Sequence, residues 1–178
     1  MIIANKQKQS GVGLIEILIS VVLLSIGFLA AAKMQVEGMR NSQSAYYQSQ
    51  AYFLAADIID RMRANLPGVR DGHYDDAVIS STAISPGCDT STSICSPEQI
   101  AQQDMYEWSA HIHVLDQYAG AEVADFIPAL PGVVTGTITP IPNSDGVLQV
   151  SLTWTEVINN VDSIENLTVN FVAQQTAL

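Results

Sequence analysis

The chain has 178 residues, which is enough for one domain with a hydrophobic core. It carries 18 Asp and Glu against 7 Lys and Arg, a formal net charge of −11, and every Lys and Arg lies at or before Arg70. Because residues 71–178 contain no Lys or Arg, this half cannot neutralise a phosphate backbone, which argues against nucleic-acid binding. The 48% hydrophobic content also excludes a disordered acidic tail.

An apolar run covers residues 12–32 with a single charge, Glu16. As a helix it spans about 31 Å, which matches the roughly 30 Å hydrocarbon core of a bilayer. Lys6 and Lys8 precede the run, so the positive-inside tendency predicts a cytoplasmic N-terminus and places residues 33–178 outside.

A cleaved secretory signal peptide is the alternative, with the small residues Ala30–Ala32 as its cleavage site. The run is longer than the usual apolar region of such a peptide, and it contains a carboxylate. Because an ionisable group at membrane depth costs about 2.5–3.5 kcal/mol on insertion scales, Glu16 is a functional candidate.

The start of the chain resembles the class III signal of type IV prepilins and pseudopilins, since Gly11 is followed five residues later by Glu16 inside an apolar run. The resemblance implies that residues 1–11 are a leader, that prepilin peptidase cuts between Gly11 and Val12, and that the amine of Val12 is methylated. Glu16 is then the fifth residue of the mature chain, and the resemblance implies that it pairs with the amine of a neighbouring subunit. Val12 stands where the family usually has Phe.

Helical signals continue through residues 33–66, where apolar residues recur at steps of three and four. Pro67 and Gly68 predict the end of this helix. The other face carries two acids and two bases that can form exposed pairs, worth a few tenths of a kcal/mol each: Asp57, Asp60, Arg61 and Arg63.

Residues 67–178 are predicted to form a periplasmic globular domain, in which residues 68–96 are a loop rich in Gly, Ser, Thr, Pro and Asp. Cys88 and Cys95 are the only cysteines, and in an exported chain a pair favours a disulfide. A metal or redox pair is the alternative. Six intervening residues do not suit C-x-x-C chemistry, and two ligands are too few for structural zinc.

A second helix is predicted to begin after Ser96, with Pro97 at its first position and Gln99 completing a capping box. It is predicted to end near Gly120. Its apolar residues follow at steps of four and three: Ala101, Met105, Trp108, Ile112, Leu115 and Ala119.

Three strands are predicted at residues 133–139, 148–154 and 167–171, from β-branched content and strict alternation. Turn signals separate them at residues 140–146 and 159–160. The predicted fold class is therefore α+β, with a long N-terminal helix packed on a C-terminal antiparallel sheet and a second amphipathic helix, and the resemblance to prepilins implies that this fold is pilin-like.

No residue pattern indicates catalysis, a cofactor or a metal, so no enzymatic activity is expected. The phosphate-loop and nucleophile-elbow motifs are absent from the sequence. The histidines and acids weighed as metal ligands lack suitable spacing and are interpreted as solvated: His111, His113, Asp71, Asp75, Asp76 and Asp89.

The runs Ser44–Ala51 and Asp57–Asn65, the helix start at Cys95–Ala101 and the turn at Leu130–Gly132 are similar to the PilV family of minor pilins. This resemblance implies a subunit that helps to prime pilus assembly in the inner membrane and then enters the pilus. The implied partners are other minor pilins, the major pilin, prepilin peptidase and a tip adhesin. The alternatives are a minor pseudopilin of a type II secretion system and a periplasmic sensor or enzyme with a membrane anchor.

Overall fold

The computed structural model describes residues 13–88, 94–113, 129–144, 146–158 and 161–173. The chain divides into two units, residues 1–42 and 43–178. The elements are α1 (Leu14–Ala64), α2 (Leu66–Arg70), β1 (Ala77–Val78), α3 (Pro97–Ile112), β2 (Thr135–Pro140), β3 (Val147–Ile158) and β4 (Val161–Val172). This is the predicted α+β, pilin-like architecture, with a long N-terminal helix followed by an antiparallel sheet.

Helix α1 changes character along its length. All its residues from Leu14 to Ala32 are exposed, and the helix is long and apolar enough to cross a membrane. Further along, one face is buried, as the predicted stripe requires. The buried residues are Ala51, Leu54, Ala55, Ile58, Ile59 and Met62.

The end of α1 differs from the prediction in detail. The helix ends at Ala64, and Pro67 lies in the first turn of the short helix α2, where its missing N–H is not needed. Asn65 caps α2, because its Oδ1 accepts a hydrogen bond from the N–H of Gly68 at 3.3 Å. A Cβ on Gly68 would lie 2.4 Å from Asn65 Nδ2, so this cap requires glycine. The proline that seemed to break one helix therefore starts another.

The stretch predicted as a loop, residues 68–96, contains most of α2 and the two-residue strand β1. In β1, Ala77 lies opposite Ile138 of β2. A strand this short has no detectable periodicity, and it is defined by its pairing with β2. The loop prediction is therefore wrong at both places.

Helix α3 begins as predicted. The N–H of Gln99 donates to Ser96 Oγ at 3.2 Å, and the N–H of Ser96 donates to Gln99 Oε1 at 3.0 Å, which completes the capping box. The predicted end near Gly120 is wrong, because α3 ends at Ile112 and His113 has an extended backbone. The predicted helix residues Leu115 and Ala119 lie outside the described residues.

The sheet has the order β1–β2–β3–β4, and all its pairings are antiparallel. The three predicted strands are present. β3 and β4 are longer than predicted, at 12 residues each, and pair from Val147 opposite Val172 to Ile158 opposite Val161. One sheet face joins the buried faces of α1 and α3 in a single core, to which the strands contribute Ile138, Leu148, Val150, Leu152, Trp154 and Phe171.

Trp108 of α3 connects α1, α3 and the sheet within this core. It is fully buried, and its Nε1 donates to the backbone oxygen of Leu54 in α1 at 3.0 Å. The ring lies over Gly136 of β2, where a Cβ would be 2.8 Å from the indole. The absence of a side chain at position 136 therefore allows α3 to lie close to the sheet.

Candidate functional site

The first candidate is the exposed start of α1. Glu16 lies in its first turn, where a carboxylate interacts favourably with the positive end of the helix dipole. Within the described part of the chain, no ion pair includes Glu16. Lys33 is the next base along the helix, about 25 Å away at 1.5 Å per residue.

The side chains around this carboxylate are large, apolar and exposed, with Ile15, Ile17 and Ile19 among them. A run with this surface requires a non-aqueous environment, which a bilayer or the helices of other subunits would provide. Gly11 and Val12, the predicted cleavage and methylation residues, lie outside the described residues, so both processing steps stay predictions.

The second candidate is a polar cluster that joins α1 to α3. Arg61 is its centre: Nε donates to Asp57 Oδ2 at 3.0 Å on the same helix, and Nη1 donates to Glu107 Oε2 on α3. Asp104 Oδ1 lies 3.8 Å from the same Nη1. The Arg61 side chain is only 23% exposed, so these contacts are less screened than those of a surface pair.

Asp104 extends the cluster inward. Its Oδ2 accepts a hydrogen bond from the hydroxyl of Tyr74, a fully buried residue that follows α2. Tyr74 Oη in turn accepts from Asn65 Nδ2 at 3.1 Å, and the same amide nitrogen donates to the backbone oxygen of Pro97 at 2.8 Å. Every buried side-chain polar atom in the described ranges has a partner. The cluster therefore fixes the start of α3 against the end of α1.

The cluster shifts the pKa of its members in opposite directions. Burial raises the pKa of Asp104, and the hydrogen bond from Tyr74 offsets this only in part. For Glu107, burial also opposes ionisation, but hydrogen bonds from Gln103 and Arg61 outweigh it and lower the pKa. Burial and the bond to Asp104 raise the pKa of Tyr74 well above its ordinary value. The phenol therefore stays protonated and able to donate.

The ion pairs predicted on α1 are present, but one of them is less exposed than predicted. Arg63 pairs with Asp60 at 2.7 Å on the surface, as predicted, and its guanidinium also lies 5.7 Å from the ring centre of Phe171. Arg61 pairs with Asp57 but is largely buried and bonded to α3, which the interpretation as an exposed pair missed. The sequence did contain a signal for this contact, because Asp104 and Glu107 are three residues apart and therefore lie on the same face of α3.

The cysteines and the candidate metal ligands form two further sets of candidate residues. Cys88 and Cys95 form a disulfide with their Cα atoms 6.1 Å apart. In the described ranges, no group of three or more His, Cys, Asp or Glu side chains is arranged to hold a metal ion. His111 lies in the last turn of α3 and His113 caps it, while Asp89 lies outside the described residues.

Fold and helix together define a pilin-like architecture whose N-terminal helix is long and apolar enough to cross a membrane. Two family models match the chain: residues 6–32 match the prokaryotic N-terminal methylation motif, and residues 33–106 match the type IV pilin family described as Tt1218-like. No curated protein and no solved structure matches it. These findings are consistent with a pilus subunit, and the type IV pilin family is structural rather than enzymatic.

Proposed function

We propose that the chain is a minor pilin of the PilV type, which helps to initiate type IV pilus assembly and is incorporated into the pilus or its tip complex. Its partners are other minor pilins, the major pilin and a tip adhesin. Before assembly it spans the inner membrane once, with residues 33–178 in the periplasm. The carrying observation is an exposed apolar helix with one carboxylate, Glu16, inside the matched methylation motif.

The processing step is cleavage by prepilin peptidase between Gly11 and Val12, followed by methylation of the new amine. Cleavage on the cytoplasmic side of the apolar run leaves that run on the mature protein, as a subunit held by its helix requires. Mass spectrometry of the N-terminal peptide from native cells should find a methylated Val12. A start near Lys33 would instead show that a signal peptide is removed.

Glu16 is the assembly contact in this proposal. A carboxylate in a low-dielectric environment is costly unless it is paired, and the helix places no base within one turn of it. The α-amine of Val12 in a neighbouring subunit is a cation at the same membrane depth. Pairing between subunits would neutralise both charges and fix the axial position of the new subunit.

Glu16→Ala tests this role. The variant should be inserted and cleaved normally, because removing a charge makes the helix more apolar, but it should fail to restore piliation in a deletion strain. Ser20→Ala is the matched control one turn further along, where the hydroxyl bonds only to the Glu16 backbone oxygen at 2.7 Å. Normal piliation by a cleaved Glu16→Ala protein would refute the assigned contact.

A minor pseudopilin of a type II secretion system shares the helix and the cleavage signal. The match of residues 33–106 to a type IV pilin model supports the pilus, because it covers the end of α1 and the capping box of α3. Loss of pili with normal secretion in a deletion strain would separate the two functions.

A further inference from the structure

Strand β4 forms one edge of the sheet, because the strand order is β1–β2–β3–β4. All 12 of its residues pair with β3, from Val161 to Val172, without a break or a bulge in the register. The opposite edge is β1, which has only two residues. Because a very short edge strand offers few groups for pairing with another chain, β1 is protected against strand addition and β4 is not.

The register shows which backbone groups of β4 point away from the sheet. The N–H of Ala173 donates to the backbone oxygen of Gly146 at 2.8 Å, which continues the β3–β4 pairing by one position. Since hydrogen-bonded and non-hydrogen-bonded pairs alternate in an antiparallel ladder, the odd-numbered residues of β4 bond to β3. The N–H and C=O groups of the even-numbered residues therefore form an open edge, and no hydrogen bond to them is found in the described ranges: Asp162, Ile164, Asn166, Thr168, Asn170 and Val172.

The open edge also lacks the side chains that usually block strand addition. β4 contains no Pro, Lys or Arg, and its segment 166–172 contains no charged residue. On the core face of this segment, Leu167 and Val169 are only partly buried. Their partners on β3, Leu152 and Val150, are fully buried. The core thus continues to the open edge, where a further strand would complete both the backbone hydrogen bonding and the burial.

Two carboxylates define the chemistry of such a strand. Glu165 lies opposite Trp154 on the core face and accepts a hydrogen bond from Ser163 Oγ at 2.9 Å. Glu156 is buried on the same face and accepts from Trp154 Nε1 at 2.7 Å. Among the described residues, neither carboxylate has an ion pair. A residue placed opposite Glu165 on an added strand would have its Cβ about 5 Å from that of Glu165, so a Lys or Arg there would pair with it.

A second copy of this chain does not supply that cation. Residues 71–178, which include every strand, contain no Lys or Arg. A strand from another copy would therefore bring only neutral or acidic side chains to Glu165, between two chains of net charge −11. The complementary strand must belong to a different chain.

We propose that β4 accepts a fifth strand from a different pilin subunit. This strand is an extended segment with apolar side chains facing Leu167 and Val169 and a Lys or Arg facing Glu165. The contact rests on the proposed function, because assembly with other pilins is what brings a different subunit to this edge. Main-chain hydrogen bonds supply the affinity, and the alternate side chains supply the selectivity.

Hydrogen exchange of the full-length protein tests strand addition directly. In the protein purified alone in detergent, the even-numbered amides of β4 should exchange fast and the odd-numbered amides slowly, because only the latter bond to β3. In the complex with other pilins, isolated from native membranes through a tag on this chain, the even-numbered amides should exchange at least about tenfold more slowly.

Thr168→Pro tests the main-chain contact. Proline removes an N–H that points away from the sheet and leaves the ladder to β3 intact, as an edge strand tolerates. Thr168→Ala is the matched control, because it removes the same hydroxyl but keeps the N–H. The alanine variant should retain the other pilins like wild type, whereas the proline variant should retain at least about fivefold less of them and show no slowing at the edge. Unchanged melting of the proline variant shows that it is folded, and Asn170→Pro provides a second variant of the same design.

Glu165→Lys tests the charge. It should also retain at least about fivefold less of the other pilins, with Glu165→Gln between it and wild type. Normal retention by Glu165→Lys or by a folded Thr168→Pro would overturn the proposal. So would slow exchange of the edge amides in the protein alone, or slowing in a complex that contains only copies of this chain. Cleavage after Gly11 and presence in sheared pili are scored in the same cells: if both are normal and the edge amides still exchange fast in the complex, the fifth strand is refuted while the proposed function stands.

Discussion

Removing the hydroxyl of Tyr74 is the sharpest test of the polar cluster. The phenol donates to Asp104 and accepts from Asn65 at 3.1 Å, so it connects the two sides of the α1–α3 contact. In Tyr74→Phe the ring still fills its buried position. Asn65 Nδ2 keeps its hydrogen bond to the backbone oxygen of Pro97 at 2.8 Å. Asp104, which is 8% exposed, loses the hydrogen bond that the Tyr74 hydroxyl donates to it.

The expected loss of stability follows from these contacts. A hydrogen bond to a charged group contributes about 1.5–3 kcal/mol, and Arg61 at 3.8 Å compensates only a part of the loss at Asp104. We therefore expect a decrease of about 2 kcal/mol in the free energy of unfolding. For a chain of this length, that corresponds to a melting temperature lower by about 4–8 °C.

Thermal unfolding of the full-length protein in detergent, followed by circular dichroism, measures the change. Tyr47→Phe is the matched control, because its hydroxyl accepts a hydrogen bond from Gln43 at 2.8 Å in an exposed position. That control should change the stability by less than about 0.5 kcal/mol. Equal effects of the two substitutions would refute the view that the Tyr74–Asp104 bond holds the helices together.

The pH dependence of this effect has a definite sign. The bond from Tyr74 favours the charged carboxylate of Asp104, so its contribution is present when Asp104 is ionised and is lost as the pH falls through the raised pKa. The difference between wild type and Tyr74→Phe should therefore shrink on acidification. A difference that grows between pH 7 and pH 4 would show that the sign is wrong.

Three further variants test the packing and the covalent bond. Gly136→Ala should destabilise by about 1–3 kcal/mol in the same melting assay, because the new methyl group would lie 2.8 Å from Trp108, whereas Gly38→Ala, with nothing within 4 Å, should stabilise α1 by about 1 kcal/mol. Equal melting temperatures for the two variants would contradict the close packing at Gly136. Replacing both Cys88 and Cys95 by Ser should lower the free energy of unfolding by about 2–3 kcal/mol in urea titrations, and an unchanged midpoint would show that the disulfide is dispensable.

Features that depend on neighbouring residues were predictable. The capping box at Ser96 and Gln99 depends only on residues within one four-residue segment, and the structure has both of its hydrogen bonds. Alternation from Leu148 to Trp154 predicted which residues of β3 are buried. The apolar run predicted a helix long enough to cross a membrane, and α1 has that length and composition.

Features that depend on distant partners were not predictable. β1 exists because Ala77 pairs with Ile138 of β2, 61 positions further along the sequence. A two-residue segment is too short to show a strand pattern that would predict this pairing. The end of α3 at Ile112 was missed because the apolar spacing continues past it. Arg61 was interpreted only from the acids on its own helix, although Glu107 on another helix accepts a hydrogen bond from the same guanidinium.

The position of Arg61 limits which N-terminal helices can be exchanged between pilins in a chimera. Asp104 and Glu107 on α3 face a cation that comes from α1, and the chain has no Lys or Arg after Arg70 to replace it. A chimera that exchanged α1 for the helix of another pilin would place an arbitrary residue against these two carboxylates. Grafted helices must therefore keep an arginine at position 61, or the receiving domain must lose its two acids at the same time.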